Sequence, residues 1–376
     1  MKALLVLEDG FTLEGRSFTG DFETGGEVIF TTSMGGYQGV LTDPSCHNQM
    51  VCMTYPLIGN YGITAEDMES AAIHCAALLV KECCKIPSNW RSVMSLPDFL
   101  AKHGKPGVEG LDTRALTRHL RRNGAMRGII STREDDPQIL KEKALALPPM
   151  QGNPLMDSVA AQTPWAWVNG KPHDVALASD GGYAWQGTGL PVLVYDYGCG
   201  WSLPRLLLEA GFEPLMVPPG FSLNQAKATG ARGVLLSTGP GDPAAADAAI
   251  AVVQELISAL PVAGIGLGHQ LIARALGAKT AKLPFGHHGS NHPVRDTRSG
   301  RIEITTQNHG FHVILDAVPD VEATHINLND QTVEGLRHTS LPVIGQQYQP
   351  GPLAGMDDTA HLFSRFRLML DGAEGA

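Results

Sequence analysis

Long apolar runs are missing from this 376-residue sequence. No stretch approaches the roughly 20 hydrophobic residues of a membrane span. The opening MKALLVLEDG turns acidic too soon for a secretory leader, so a cytoplasmic chain with no membrane partner is expected. Positive charge is scarce, with 28 Lys and Arg against 38 Asp and Glu and a net charge of −10. Nucleic-acid surfaces take much of their affinity from Lys and Arg set against phosphates, so no nucleic-acid partner is expected. The one basic cluster, Arg114, Arg118, Arg121 and Arg122 in DTRALTRHLRRNG, reads as the solvated face of a helix capped by Asp112.

Three chemical patterns are also missing. The six cysteines form no CxxC pair, which leaves neither a zinc ribbon nor a disulfide frame, and reduced thiols are expected. No GxxxxGK[ST] loop occurs, so this chain alone is not expected to handle ATP or to carry a cofactor. His287, His288, His292, His309 and His312 lie in FGHHGSNHPV and QNHGFHV without an HExxH or a carboxylate at ligand spacing. They are expected as hydrogen-bonded loop imidazoles, with no metal.

What is present divides into three stretches. Residues 1–150 mix strand-like runs (KALLVLEDG, GEVIFTTS) with helical ones (SLPDFLAKHG, TRALTRHLRRNG), an α+β domain. Residues 151–189 are rich in Pro, Gly and Trp and read as a linker with some packed aromatics. From 190 to 376 short apolar strands alternate with helices, the mark of a mostly parallel sheet covered on both faces. Ligands of such sheets sit beyond the carboxyl ends of the strands, which singles out YDYGCGWS, LSTGPGDP and GIGLGHQ. In TGPGDP, Pro243 falls in a first helical turn with Asp242 near the cap. VAGIGLGHQLIARALGA reads as strand, sharp turn and helix, the geometry that lifts a nucleophile to a helix N-terminus. Its tip is Gly266, which has no side chain to lift.

GGYQGVLTDPS, TYPLIGNYG, LDTRALTR, LSTGPGDP, GIGLGHQL, KLPFGHHGSNHPV and TTQNHGF, in that order and nearly end to end, resemble the small subunit of glutamine-dependent carbamoyl phosphate synthetase. The resemblance implies an N-terminal domain particular to that family and a class I glutamine amidotransferase domain after it. It implies glutamine hydrolysis, with ammonia passed to a large subunit that uses ATP and Mg for carbamoyl phosphate, a precursor of arginine and pyrimidines. The family triad is a Cys in GICLGHQ and a His and a Glu in a later HPE. Those positions are here Gly266, Gln349 and Gly351. By the same resemblance, oxyanion donors fall at Gly241 and Leu267, and residues that hold L-glutamine fall at Ser45, Gly239, Gln270, Asn308, Gly310 and Phe311.

Amide cleavage through a thioester needs a nucleophile and an acid–base partner. Glycine supplies none, and the amide of Gln349 neither takes nor gives a proton near neutral pH. The expectation is therefore a glutaminase-deficient pseudoenzyme that docks on the large subunit as a heterodimer. Two alternatives compete: a regulatory module that binds glutamine apart from the synthetase, and an altered hydrolase using Cys199 with His269 or His309 as base.

Overall fold

In KALLVL, Leu4 and Val6 point one way, Ala3, Leu5 and Leu7 the other, and all five are buried. A strand apolar on both faces needs cover on both. The computed structural model, which describes residues 1–316, 318–350 and 361–372, supplies it within the first of two units, Met1–Asn153 with Leu283–Ser290. Here β1 (Lys2–Leu7), β2 (Thr12–Ser17), β3 (Glu23–Thr31), β4 (Gln49–Met53), β6 (Ala77–Leu79), β8 (Gly107–Glu109) and β9 (Met126–Ser131) close a barrel in the order β1-β2-β8-β6-β4-β3-β9. A small pair, β5 (Leu57–Ile58) and β7 (Glu82–Cys83), lies outside it. Closure leaves no strand edge open to another chain.

Four helices belong to this unit: α1 (Tyr37–Thr42), α2 (Leu96–Lys102), α3 (Thr113–Asn123) and α4 (Pro137–Ala146). Leu4 and Val6 meet Leu140 and Ala144 of α4, while Leu5 and Leu7 join Val28, Met50 and Leu116 of α3. Asp112 caps α3 by accepting the Ala115 N–H at 2.9 Å, and Arg114, Arg118, Arg121 and Arg122 are exposed, a solvated face.

The second unit, Pro154–Lys282 with Asn291–Ala376, is built on an eleven-stranded sheet. Its strands are β10 (Trp165–Val168), β11 (Lys171–Asp174), β12 (Leu190–Tyr195), β13 (Phe212–Val217), β14 (Gly233–Leu236), β15 (Val262–Ile265), β16 (Lys279–Asp296, whose residues Leu283–Ser290 belong to the first unit), β17 (Ile302–Ile314), β18 (Val321–Asn327), β19 (Val333–His338) and β20 (Val343–Gln346). β13, β12, β14, β15 and β20 run parallel in that order, and antiparallel strands flank them. Helices α5 (Ser202–Glu209), α6 (Leu223–Ala228), α7 (Asp247–Ile257), α8 (Leu267–Ala275) and α9 (His361–Leu370) cover both faces. Val192 and Val194 pack with Leu207 of α5 and Phe366 of α9, whereas Leu193 and Tyr195 pack on the side of α6, α7 and α8. The fold class is thus α/β, with a mixed first domain and a doubly covered, largely parallel second one. No helix among the described residues is long and apolar enough to cross a membrane.

Two expectations need correction. Residues 154–189 are part of the second unit rather than a linker between units. Trp165 and Ala166 pair antiparallel with Met216 and Leu215, and the indoles of Trp165 and Trp185 donate to Asp196 Oδ2 at 2.9 Å and Thr229 O at 2.7 Å. Half-buried indoles direct their N–H groups to partners, so they pin a Pro- and Gly-rich stretch whose periodicity is too short to read. The expected loop histidines lie instead on strands, His287, His288 and His292 on β16, His309 and His312 on β17.

Candidate functional site at the carboxyl edge of the parallel strands

Parallel pairing brings three loops to one edge. Tyr195 stands opposite Leu236 and Leu236 opposite Gly264, so the segments after β12, β14 and β15 leave the sheet together. Ser237 ties them. Its Oγ accepts the Tyr197 N–H at 2.9 Å and donates to Thr238 O at 2.8 Å, while its carbonyl accepts the Gly268 N–H at 2.9 Å. Nothing in the sequence singled out this serine.

Gly266 caps the N-terminus of α8 at φ 57° and ψ −113°, a left-handed backbone that side-chain-bearing residues rarely adopt. Its N–H donates to Gln346 O at 2.9 Å. A Cβ built there would stand 3.1 Å from Thr238 Cγ2, a contact that a small shift of Thr238 relieves. The strand–turn–helix geometry for presenting a nucleophile is therefore formed, with glycine at its tip. Leu267 opens α8, where a backbone N–H has no carbonyl of its own helix to pair with. Gly241, the other expected donor, has φ 100°, and Asp242 caps a 3-10 turn at Pro243–Ala245 by accepting the Ala244 N–H at 2.8 Å. Gly239 comes so close to the Tyr197 carbonyl that any Cβ would collide with it.

Gln349 donates its backbone N–H to Thr306 O at 3.0 Å, an isolated bridge beside β17. Gly351 lies outside the described residues. Gln270, 3% exposed, donates from Nε2 to Phe311 O at 2.8 Å and to Gln347 Oε1 at 3.0 Å. The first bond joins α8 to the β17 segment that carries Asn308, Gly310 and Phe311, and the second joins it to the residue just after β20. A Cβ on Gly310 would meet nothing within 4 Å. Ser45 belongs to the first unit, where its N–H donates to Asp43 Oδ1 at 2.9 Å and its buried Oγ has no hydrogen-bond partner among the described residues.

The substitute nucleophile fares poorly. Cys199 is 5% exposed and packs with Leu203, Leu207, Ile265 and Phe363. His269, named as a possible base, is fully buried on α8, and burial pushes its imidazole down to about 3, far from a working base near neutral pH. His309 stands 2.8 Å from Phe311 O and 2.8 Å from Gln307 Oε1, so its ring is already engaged on its own strand. A second cluster escaped sequence reading altogether: Glu303, His325, Tyr348 and His361 meet in the second unit, and their scattered positions gave no spacing to detect.

Comparison with known proteins agrees with this geometry. Residues 5–130 match the family described as the carbamoyl-phosphate synthase small chain, CPSase domain, and residues 193–369 match glutamine amidotransferase class-I. The chain is 69% identical over 376 residues to the carbamoyl phosphate synthase small chain of Desulfovibrio desulfuricans, covering 100% of both. It is 58% identical over 375 residues to that of Nitratidesulfovibrio vulgaris, again with 100% of both covered. Against the Aquifex aeolicus small chain the identity is 43% over 372 residues, 98% of this chain and 99% of that one. With such matches running the length of the sequence, the chain belongs to the carbamoyl phosphate synthase small chain family and carries that family's class I glutamine amidotransferase domain.

Proposed function

We propose that this chain is a small subunit that no longer hydrolyses glutamine and that serves a carbamoyl phosphate synthase large subunit by docking, while free ammonia feeds the synthesis. The observation that carries the reading is Gly266 at the tip of a fully formed elbow. Oxyanion donors without a nucleophile leave only residual catalysis. Deleting the nucleophile or base of a comparable triad costs on the order of 10⁶ in turnover, about 8 kcal/mol of barrier. Gln349, at the position of the family's histidine, offers an amide that cannot shuttle the proton. Docking is supported by apolar side chains left in water on the first unit, Ile86 at 85%, Trp90 at 93% and Val93 at 70% exposure. Apolar groups exposed so closely along the chain suit a partner surface. ATP and Mg belong, in this reading, to the partner.

The test is ammonia release from glutamine by the purified chain, alone and with the large subunit. No release above the buffer rate is expected, together with co-elution of the two subunits that Trp90→Glu weakens. Turnover that a thiol alkylator blocks and that Cys199→Ser removes would replace this reading with the altered hydrolase. Submicromolar glutamine binding without co-elution would replace it with the regulatory module.

A further inference from the structure

The second unit gathers four side chains that the proposed function does not use. Glu303 lies on β17, His325 on β18, Tyr348 just after β20, and His361 opens α9. Glu303, His325 and Tyr348 are 5%, 3% and 0% exposed, so polar groups of three separate elements have been taken out of water at one place. The Tyr348 hydroxyl donates to Glu303 Oε2 at 3.2 Å and stands 3.4 Å from His361 Nε2. His361 Nδ1 is 3.7 Å from Glu303 Oε1. His325 Nδ1 lies 2.9 Å from Thr324 Oγ1, while its Nε2 is buried with no hydrogen-bond partner among the described residues. A buried ring nitrogen without a partner is a rare and costly arrangement unless something else binds it.

We propose that Glu303, His325 and His361 form a site for a divalent transition-metal ion of the zinc class, with the Tyr348 hydroxyl or a water as fourth ligand. One ligand atom from each of the three lies within 4.8 Å of the others. Ligands about 2.0–2.1 Å from a tetrahedral zinc are about 3.4 Å apart. The 3.7 Å between Glu303 Oε1 and His361 Nδ1 is close to that edge. No separation has to shrink by more than roughly 1.4 Å, within reach of side-chain rotation. Two imidazoles with one carboxylate favour zinc, cobalt or nickel over magnesium and calcium, which prefer all-oxygen shells. With the Nδ1–H of His325 donated to Thr324 Oγ1, the lone pair of Nε2 is free for a metal, the outer support that metal-bound histidines ordinarily have. The nearby Arg365 guanidinium would oppose a dication, but it is paired with Asp296 Oδ2 at 3.2 Å. A small cavity bordered by His325, His361, Arg298 and Arg365 gives the ion its way in. Bound there, the metal clamps the start of α9 to β17 and β18, a structural role separate from amide chemistry.

The experiment starts from the full chain stripped with a chelator and titrated with Co²⁺. One equivalent is expected to produce the strong visible absorption of tetrahedral cobalt, and Zn²⁺ to bleach it. Saturating Zn²⁺ should raise the melting temperature by on the order of 5 °C. Glu303→Gln, close to isosteric, and His325→Ala should each weaken binding at least tenfold and remove the thermal shift. The proposal is overturned if cobalt stays pale and six-coordinate, or if both variants bind as the parent does. Should His325→Ala fail to fold, unchanged binding by Glu303→Gln is enough to overturn it.

Discussion

The two units carry their thiols in the opposite proportion to their expected chemistry. The first holds five of the six cysteines, none of them in a disulfide, and four of those five are buried. In the barrel unit burial pushes the Cys52 and Cys83 thiols up to about 12, which keeps them protonated and makes them packing residues. The second unit, which carries the amidotransferase domain, holds only Cys199, buried in an apolar cluster. Its elbow nevertheless keeps the shape that a nucleophile requires. Backbone geometry is fixed by sheet pairing and close glycine contacts, so the elbow forms with glycine at its tip, whereas the thiols sit where a small apolar group fits.

Two glycines of the elbow sharpen that comparison because they are held by different forces. A Cβ on Gly268 would run into the Leu236 carbonyl, a backbone atom that cannot turn aside, and one on Gly264 would stand 2.6 Å from the Gly268 carbonyl carbon. Gly268→Ala should therefore force α8 away from β14 and cost about 3 kcal/mol or more, at the upper end of overpacking penalties. Urea unfolding checks it, and a loss below about 1 kcal/mol would mean that the helix shifts freely. At Gly266 a Cβ would need only a small shift of the Thr238 methyl, so its positive φ is the main resistance to a side chain. Gly266→Cys is expected to fold, to cost about 1–2 kcal/mol in the same assay, and to release no ammonia from glutamine, since Gln349 cannot act as base. Recovery of turnover in that single variant would reveal another base and break the comparison at its centre.

The sequence made the second unit's strands legible because parallel strands buried on both faces are continuous apolar runs, as in LPVLVY and GVLL. The elbow was legible too, because glycine spacing around a turn reports close backbone approach. The first unit was read only as α+β, since closure of seven strands into a barrel depends on pairings such as β2 with β8 that lie far apart in sequence. FGHHGSNHPV hid a long strand, β16, because glycine and proline inside it imitate a loop. Ser237 and the Glu303 cluster were invisible for one reason: each acts through neighbours that only the folded sheet supplies.

Acid should separate the units by the smallest of these effects. Each unit has a histidine that burial keeps neutral, His74 in the first, held down to about 4, and His269 in the second, held down to about 3. The unfolded chain takes up protons at such groups from about pH 6.5 downward while the folded chain does not, so stability is complete above that pH and falls as pH drops toward the folded value. For the fully buried His269 the loss at pH 5.5 is about 1 kcal/mol. Four of the five tryptophans, Trp165, Trp167, Trp185 and Trp201, lie in the second unit, so indole fluorescence follows mainly that unit's unfolding. Urea midpoints followed this way at pH 7.5 and 5.5 should shift in the parent chain and shift less in His269→Asn. Equal shifts in both would assign the acid sensitivity to other groups, with His74→Asn the variant that then separates the barrel's share.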